Sequence, residues 1–394
     1  MKKFTLLFCA AAVAFSAALT SRAQVITRYW PDPVFDAGRI KALHDGVPAK
    51  PAATPKKARK ILVFSRTCGF RHYGGIVAAK EVFKNMGEKL GVWEAVISDD
   101  VNEFTPENLK KYDAVVLNNP TAACFGPTNL EMTKMKPEEA KAAVEKSRQY
   151  VKNLVDFVNN GGGVLGLHSS PDCYNYDNIR DWRYTNLIGG EFIGHPWGYG
   201  SWGGVSYPKY MYRIDDEKSP ITKGIWPTNG FMFADEVYMM GKSFDRTKCR
   251  VLVSLDVEQS YVPSERVRLD GLWVRQDKDI PVIWIKNEGK GRVAYTSIGH
   301  DWNNYPNPKY QEMLMRLAQF AIGDLEADTT PLPQNHKRAI GAMEEAPTLE
   351  QLSALASTNY GEKDEEINEI IFGVFANSFD KDYCEKVEKF VARS

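Results

Sequence analysis

Short apolar segments separated by helical patterns constrain the fold of this chain more than any other feature. Four of them are runs of β-branched and other apolar residues typical of buried strands, at residues 60–64, 92–97, 114–117 and 164–167. Helical periodicity lies between them, in residues 74–90 and 137–159. Strands that alternate with helices are typical of an α/β fold with a doubly wound, mostly parallel sheet and helices on both faces. The sequence therefore predicts that fold.

The predicted sheet also indicates where a ligand would bind. Right-handed crossovers bring the loops after successive parallel strands to one edge of the sheet, and ligands of such folds bind beyond the carboxyl ends of the strands. The loops at this edge are residues 66–73, 118–122 and 168–173. Polar side chains in these loops are therefore the first candidates for function.

The rest of the chain divides around this α/β domain, which we place at residues 59–324. Later strand-like segments either extend the sheet or form antiparallel hairpins over it. Residues 24–58 contain five prolines and little periodicity, which predicts a tether. We interpret residues 325–347 as a linker and residues 348–394 as a small helical appendage.

The first 23 residues have the pattern of a secretory signal peptide. Lys2 and Lys3 precede an apolar run over residues 4–18, and Ser21-Arg22-Ala23 is a small-x-small cleavage site. The apolar run is too short for a membrane anchor. We therefore expect cleavage after Ala23, a periplasmic or secreted product and no membrane insertion.

The balance of charge argues against a nucleic-acid-binding protein. The chain has 50 Lys and Arg residues against 50 Asp and Glu residues, with no block of like charge. Proteins that bind nucleic acid usually have a basic patch or stripe. A small molecule is therefore the expected partner.

The six histidines of the chain are few enough for their positions to be informative. His72 and His168 follow predicted strands, and His195 and His300 lie in loops of the later half. Histidine titrates near neutral pH and binds metals, so a converging group would suit acid–base or metal chemistry. Alternatively, each is a structural histidine with its own hydrogen bond.

Seven segments of the chain resemble the trehalose-utilisation (ThuA-like) family. They are KILVFSRTCGFRH (60–72), FTPENL (104–109), YDAVV (112–116), GGGVLGLH (161–168), FIGHP (192–196), DEVY (235–238) and GRVAYTSIGH (291–300). The resemblance implies a class I glutamine amidotransferase-like (flavodoxin-like) fold and a role in carbohydrate catabolism. It also implies recurrent polar positions, which here are His72, His168, His195, Asp235, Glu236 and His300.

A covalent nucleophile is disfavoured by the segment that would carry it. Hydrolases with a nucleophile elbow have the pattern G-x-[SC]-x-G. The corresponding residues 166–170 read G-L-H-S-S, with His168 at the elbow and no second glycine. A covalent mechanism, as in a hydrolase or amidotransferase, then depends on Cys68, Ser169 or Ser170. It stays an alternative to acid–base or metal chemistry and to sugar binding without catalysis.

Metal binding is a further hypothesis for the same residues. Glu191 and His195 are four residues apart, which on a helix would place both on one face. Three neighbouring glycines argue against a regular helix there, and the motif H-E-x-x-H is absent. The candidate ligands of a divalent ion such as Zn²⁺ are His72, His168, His195 and Glu191.

An aromatic segment is the candidate surface for a sugar. Trp197, Tyr199 and Trp202 alternate with glycines, and such rings can stack on carbohydrate. They could equally form a lid that packs on the domain. Asp235 and Trp302 complete the predicted substrate-binding set.

Together these features predict an exported enzyme that acts on a sugar or modified glycoside, as a lyase, hydrolase or isomerase. His168 is the expected central residue, His195 and His300 would act with it as catalytic residues, and Glu236 would support them as a catalytic carboxylate. The alternative is a carbohydrate-binding protein without catalytic activity.

Overall fold

A nine-stranded mixed sheet is the centre of the computed structural model, which describes residues 31–132, 134–175, 179–196, 209–228, 230–257, 260 and 278–334. The strands of this sheet are β1 (Lys60–Phe64), β2 (Glu94–Ile97), β3 (Ala114–Asn118), β4 (Gly163–Leu167), β6 (Lys209–Ile214), β7 (Phe231–Ala234), β9 (Arg250–Leu255), β10 (Pro281–Glu288) and β11 (Gly291–Thr296). Their order across the sheet is β2-β1-β3-β4-β11-β10-β9-β6-β7. Two short strands, β5 (Phe192–Gly194) and β8 (Met239–Met240), pair separately.

The first half of the sheet is parallel, as the sequence predicts. Strands β2, β1, β3, β4 and β11 all run in the same direction. Alternate residues of β1 enter opposite cores, because successive side chains of a strand point to opposite faces. Ile61 and Val63 pack in one hydrophobic cluster, and Leu62 and Phe64 in the other. Both faces are therefore buried, which explains the continuous apolar runs.

Helices cover both faces of the sheet. They are α1 (Ala37–Asp45), α2 (Tyr73–Leu90), α3 (Pro106–Leu109), α4 (Asn129–Met132), α5 (Pro137–Asn159), α6 (Trp182–Ile188) and α7 (Pro308–Ala321). The first face is covered by α2 and α7, and the second by α5 and α6. The predicted α/β fold with helices on both faces is confirmed.

The later strands extend the same sheet in antiparallel fashion. Strand β10 pairs antiparallel with β11 and β9, and β6 pairs antiparallel with β9 and β7. Since each step reverses direction, β7 runs the same way as β4 and β11. The residues after β7 therefore leave the sheet in the same direction as those after β4.

The segment predicted as a tether differs from that prediction where it is described. Residues 37–45 form α1. Asp36 is its N-cap, and the Asp36 side chain accepts the Arg39 backbone N–H. Leu43 in this helix and Val47 after it are buried in the core. Helix α1 has too few apolar positions for its period to be recognised in the sequence. Two buried side chains nevertheless attach this segment to the domain.

Several predictions concern residues that lie outside the described ones. These are the signal peptide, the helical appendage, most of the linker from residue 335 and the aromatic segment with Trp197, Tyr199 and Trp202. Within the described ranges, no helix is both long enough and apolar enough to cross a bilayer.

Candidate active site

Loops from four strands with the same direction meet at one edge of the sheet. His72 follows β1, His168 follows β4, Glu236 follows β7 and His300 follows β11. Each of these four residues has one nitrogen or carboxylate oxygen within 4.8 Å of those of the other three. We call this group the His–Glu cluster. It forms where the topology of an α/β sheet places ligand sites.

His168 lies at a sharp turn directly after β4. Its φ angle is +39°, a left-handed conformation that is unfavourable for a residue with a Cβ. The turn is fixed by hydrogen bonds to β11, because the backbone N–H of His168 donates to Thr296 O at 2.7 Å and its carbonyl accepts from the Tyr295 hydroxyl at 2.7 Å. A histidine thus occupies the elbow where related folds place a nucleophile.

The ring of His168 has a defined orientation. Its Nδ1 lies 2.7 Å from the backbone carbonyl of Ser297. A carbonyl only accepts, so Nδ1 carries a proton and donates it. In the neutral ring Nε2 then carries a lone pair, and this atom lies 3.2 Å from Glu236 Oε2. His168 therefore presents an acceptor to the cluster.

Glu236 is the centre of the cluster. Its Oε2 lies 2.8 Å from His300 Nδ1, and its Oε1 lies 3.5 Å from His195 Nε2. Burial raises the pKa of the Glu236 carboxyl, but the surrounding His195, His300 and His168 lower it more, so that the pKa lies well below its usual value. The cluster thus contains a buried carboxylate with a negative charge.

His72 completes the cluster, and His195 lies beside it. The His72 ring lies 4.8 Å from the His168 ring and 4.7 Å from the His300 ring, edge to face in both cases. His195, which follows β5, directs Nδ1 to the carbonyl of Val237 at 3.1 Å. Burial lowers the pKa of both His72 and His195, so both favour the neutral form.

Asp235, which the sequence predicts as a substrate-binding residue, holds two loops of the site together. Its carboxylate is fully buried and accepts the backbone N–H groups of Glu236, Gly299, His300 and Asp301 and the side-chain amide of Asn304. These bonds join the loop after β7 to the loop after β11. Asp235 is therefore a positioning residue for Glu236 and His300.

Two more predicted site residues, Glu191 and Trp302, contact residues outside the cluster. Glu191 is paired with Arg180 at 2.8 Å and does not belong to the group of converging ligand atoms. Residues 192–194 are strand rather than helix, so residues 191 and 195 are separated by about 13 Å instead of one helical turn. Trp302 packs on helix α1, with its ring 3.9 Å from the Arg39 guanidinium carbon and 4.9 Å from the Phe35 ring.

The structure also adds residues that the sequence analysis did not single out. The Tyr238 ring lies 4.3 Å from the His168 ring and 5.1 Å from the His195 ring. Ser297 accepts the His168 ring proton at its carbonyl and accepts the Tyr238 backbone N–H at its hydroxyl. Tyr238 and Ser297 lie in segments 235–238 and 291–300, which resemble the ThuA-like family. That resemblance is the sequence signal that could have identified them.

The candidate nucleophiles are poorly placed for covalent catalysis; they are Cys68, Ser169 and Ser170. Burial raises the pKa of the Cys68 thiol to about 12, so the thiolate is disfavoured. The Ser170 hydroxyl donates to backbone carbonyls of Leu117 and Leu167. The Ser169 hydroxyl is buried and has no hydrogen-bond partner within the described ranges. None of the three forms the hydrogen bond to a base that would activate it.

The fold and the site define an α/β domain with a histidine–glutamate cluster at its ligand edge. Residues 60–321, more than half of the chain, match the family model described as trehalose utilisation. The chain therefore belongs to the trehalose-utilisation (ThuA) family, which links it to carbohydrate metabolism. No curated protein sequence matches the chain.

The solved structures that are similar to this one include two ThuA-like proteins. A putative ThuA-like protein from Bacteroides uniformis is 19% identical, with a TM-score of 0.49 over 70% of this chain and 96% of that one. Another from Parabacteroides merdae is 16% identical, with a TM-score of 0.42 over 68% of this chain and 91% of that one.

Proposed function

We propose that this protein is an enzyme that acts on a sugar or modified glycoside at the His–Glu cluster. The observation that carries the proposal is the convergence of three imidazoles and one carboxylate from four separate loops. Holding such polar groups together in a buried position costs free energy, because each has left water. Perturbed ionisable groups at a ligand edge are typical of catalytic sites.

The cluster has the parts for acid–base chemistry. His168 offers an Nε2 lone pair, which can either accept a proton from a substrate hydroxyl or from water, or bind a divalent ion whose bound water would then act as the base. Glu236 would stabilise the imidazolium that forms, since its oxygen is 3.2 Å away. The His300 side chain, which is 10% exposed against 0% for His168, is the better placed to meet a substrate and return a proton.

The surroundings of the cluster favour a carbohydrate. Phe70 is half-buried with its ring 4.8 Å from the His72 ring, and Phe192 is half-buried with its ring 5.0 Å from the His195 ring. Aromatic faces beside polar groups suit sugar rings, which have apolar faces and hydroxyl edges. We propose that Trp197, Tyr199 and Trp202 also bind the sugar.

A direct assay tests this function. The purified protein is incubated with trehalose, other glucose disaccharides and aryl glycosides, and products are followed by NMR. Turnover of at least one compound, lost in a His168 variant, would support the proposal. Saturable sugar binding without turnover would replace it with the carbohydrate-binding alternative, and neither binding nor turnover would contradict both.

Export to the periplasm or beyond is part of the same proposal. It depends on the basic start, the apolar run and the Ala23 site of the sequence. The mature protein should begin at Gln24, which mass spectrometry of the native protein would reveal. An intact Met1 on a cytosolic product would contradict export and leave the assignment of the cluster unaffected.

A further inference from the structure

We propose that the His–Glu cluster binds one divalent transition-metal ion through His72, His168, His300 and Glu236. Three of the candidate ligand atoms are already close to one another. His300 Nδ1 lies 2.8 Å from Glu236 Oε2 and 3.2 Å from His168 Nε2. Ligands bound at zinc distances are roughly 3.3 to 3.6 Å apart, so the set reaches an ion through small side-chain adjustments.

The pattern of donors and acceptors favours a cation. His168 Nε2 carries a lone pair because Nδ1 donates to Ser297 O. Glu236 Oε2 is also an acceptor and lies 3.2 Å from it. His300 Nδ1 lies between them and carries at most one proton, which can serve only one of the two. When the His168 ring is neutral, its Nε2 and Glu236 Oε2 bring two lone pairs together at 3.2 Å, and a cation or an additional proton between them removes this repulsion.

His72 provides an independent observation. The residue is 4% exposed, and its Nδ1 is buried without a hydrogen-bond partner among the residues that the structure describes. A buried polar nitrogen without a partner is unfavourable. The ring is nevertheless held against the rings of His168 and His300. Coordination of a metal by His72 would account for a buried imidazole ring in this position.

The ligand types select the class of metal. Three imidazoles and one carboxylate suit zinc and other first-row divalent ions, whereas calcium and magnesium prefer sets made only of oxygen. The hydrogen bond from His168 to the Ser297 carbonyl is the outer contact usual for metal-binding histidines. His195 contacts the other oxygen of Glu236, and we assign it an orienting role.

Zinc titration of the full chain tests this inference. Untagged protein is stripped with EDTA, dialysed and titrated with Zn²⁺ alone by calorimetry, and Co²⁺ binding is followed by visible absorption. We expect one ion per chain. Glu236→Gln and His300→Ala should each weaken Zn²⁺ binding at least tenfold, with circular dichroism confirming that both variants are folded.

His44→Ala is the matched control, because His44 is half-exposed, pairs with Glu81 and lies outside the cluster. It should bind Zn²⁺ like the unmodified chain. Absence of saturable binding, or equal affinity in all three variants, would overturn the inference. Because one of the two cluster variants could fail to fold, each serves as a check on the other.

The inference rests on the proposed function only in that both use the His–Glu cluster as the functional site. Metal binding is measured without a sugar, so the two can fail separately. A bound ion with no turnover of any glycoside would leave the metal site standing and contradict the enzyme. Turnover in the EDTA-stripped protein, together with no saturable Zn²⁺ binding, would leave the enzyme standing and contradict the metal site.

Discussion

Replacing His168 by alanine should reduce turnover of the active glycoside by two orders of magnitude or more. Loss of a general acid or base usually costs a factor of 10² to 10⁴, and His168 is the buried histidine whose Nε2 lone pair faces Glu236. The measurement is kcat/KM on the compound identified in the glycoside panel. Substrate binding, measured separately, should change far less than kcat.

The backbone at His168 requires a second variant. Alanine is less tolerant than asparagine of the φ angle of +39°. His168→Asn keeps a side-chain N–H toward Ser297 O and a residue suited to this turn, but it has no imidazole. Equal losses in both variants, with unchanged melting temperature in His168→Asn, would assign the effect to chemistry. Activity within threefold of the unmodified protein would remove His168 from the mechanism.

Replacing Asp235 by alanine should lower the free energy of unfolding by about 2 to 4 kcal/mol. Four backbone N–H groups and the Asn304 amide would lose their acceptor in the core. Part of the loss is offset, because burial raises the pKa of the Asp235 carboxyl to about 7, which shows that its charge is itself unfavourable there. Urea unfolding followed by circular dichroism measures the difference.

Two controls define the origin of this effect. Asp235→Asn keeps the volume and one acceptor oxygen, so it should lose about half as much free energy. Asp245→Ala removes a carboxylate that is 39% exposed, and it should change stability by no more than about 0.5 kcal/mol. If Asp235→Ala unfolds at the same urea concentration as the unmodified chain, the two loops are held together by other contacts.

The sequence alone determined the parallel half of the fold and two members of the site, His72 and His168. The apolar segments at residues 60–64, 114–117 and 164–167 correspond to β1, β3 and β4, because strands buried on both faces need continuous apolar runs. The residue after such a strand emerges at the ligand edge. His168 could therefore be assigned to that edge from local pattern and one topological rule.

Other features depended on contacts between distant residues. Glu236 joins the cluster only because three reversals of direction after β10 make β7 run parallel to β4, and no local pattern records that order. Asp235 differs from Glu236 in role although they are adjacent, since one carboxylate meets backbone N–H groups and the other meets imidazoles.

Two further features depended on such contacts. The glycines near Glu191 and His195 already argued against a shared helical face, and pairing with β8 makes the intervening residues a strand. Trp302 stays a predicted substrate-binding residue, and only the structure shows that helix α1 lies against its ring. Local patterns determine which residues are buried and which strands end in polar loops, because those depend on each residue's own side chain. Which loops meet depends on strand order and on packing between residues far apart in the chain, and only the tertiary structure decides that.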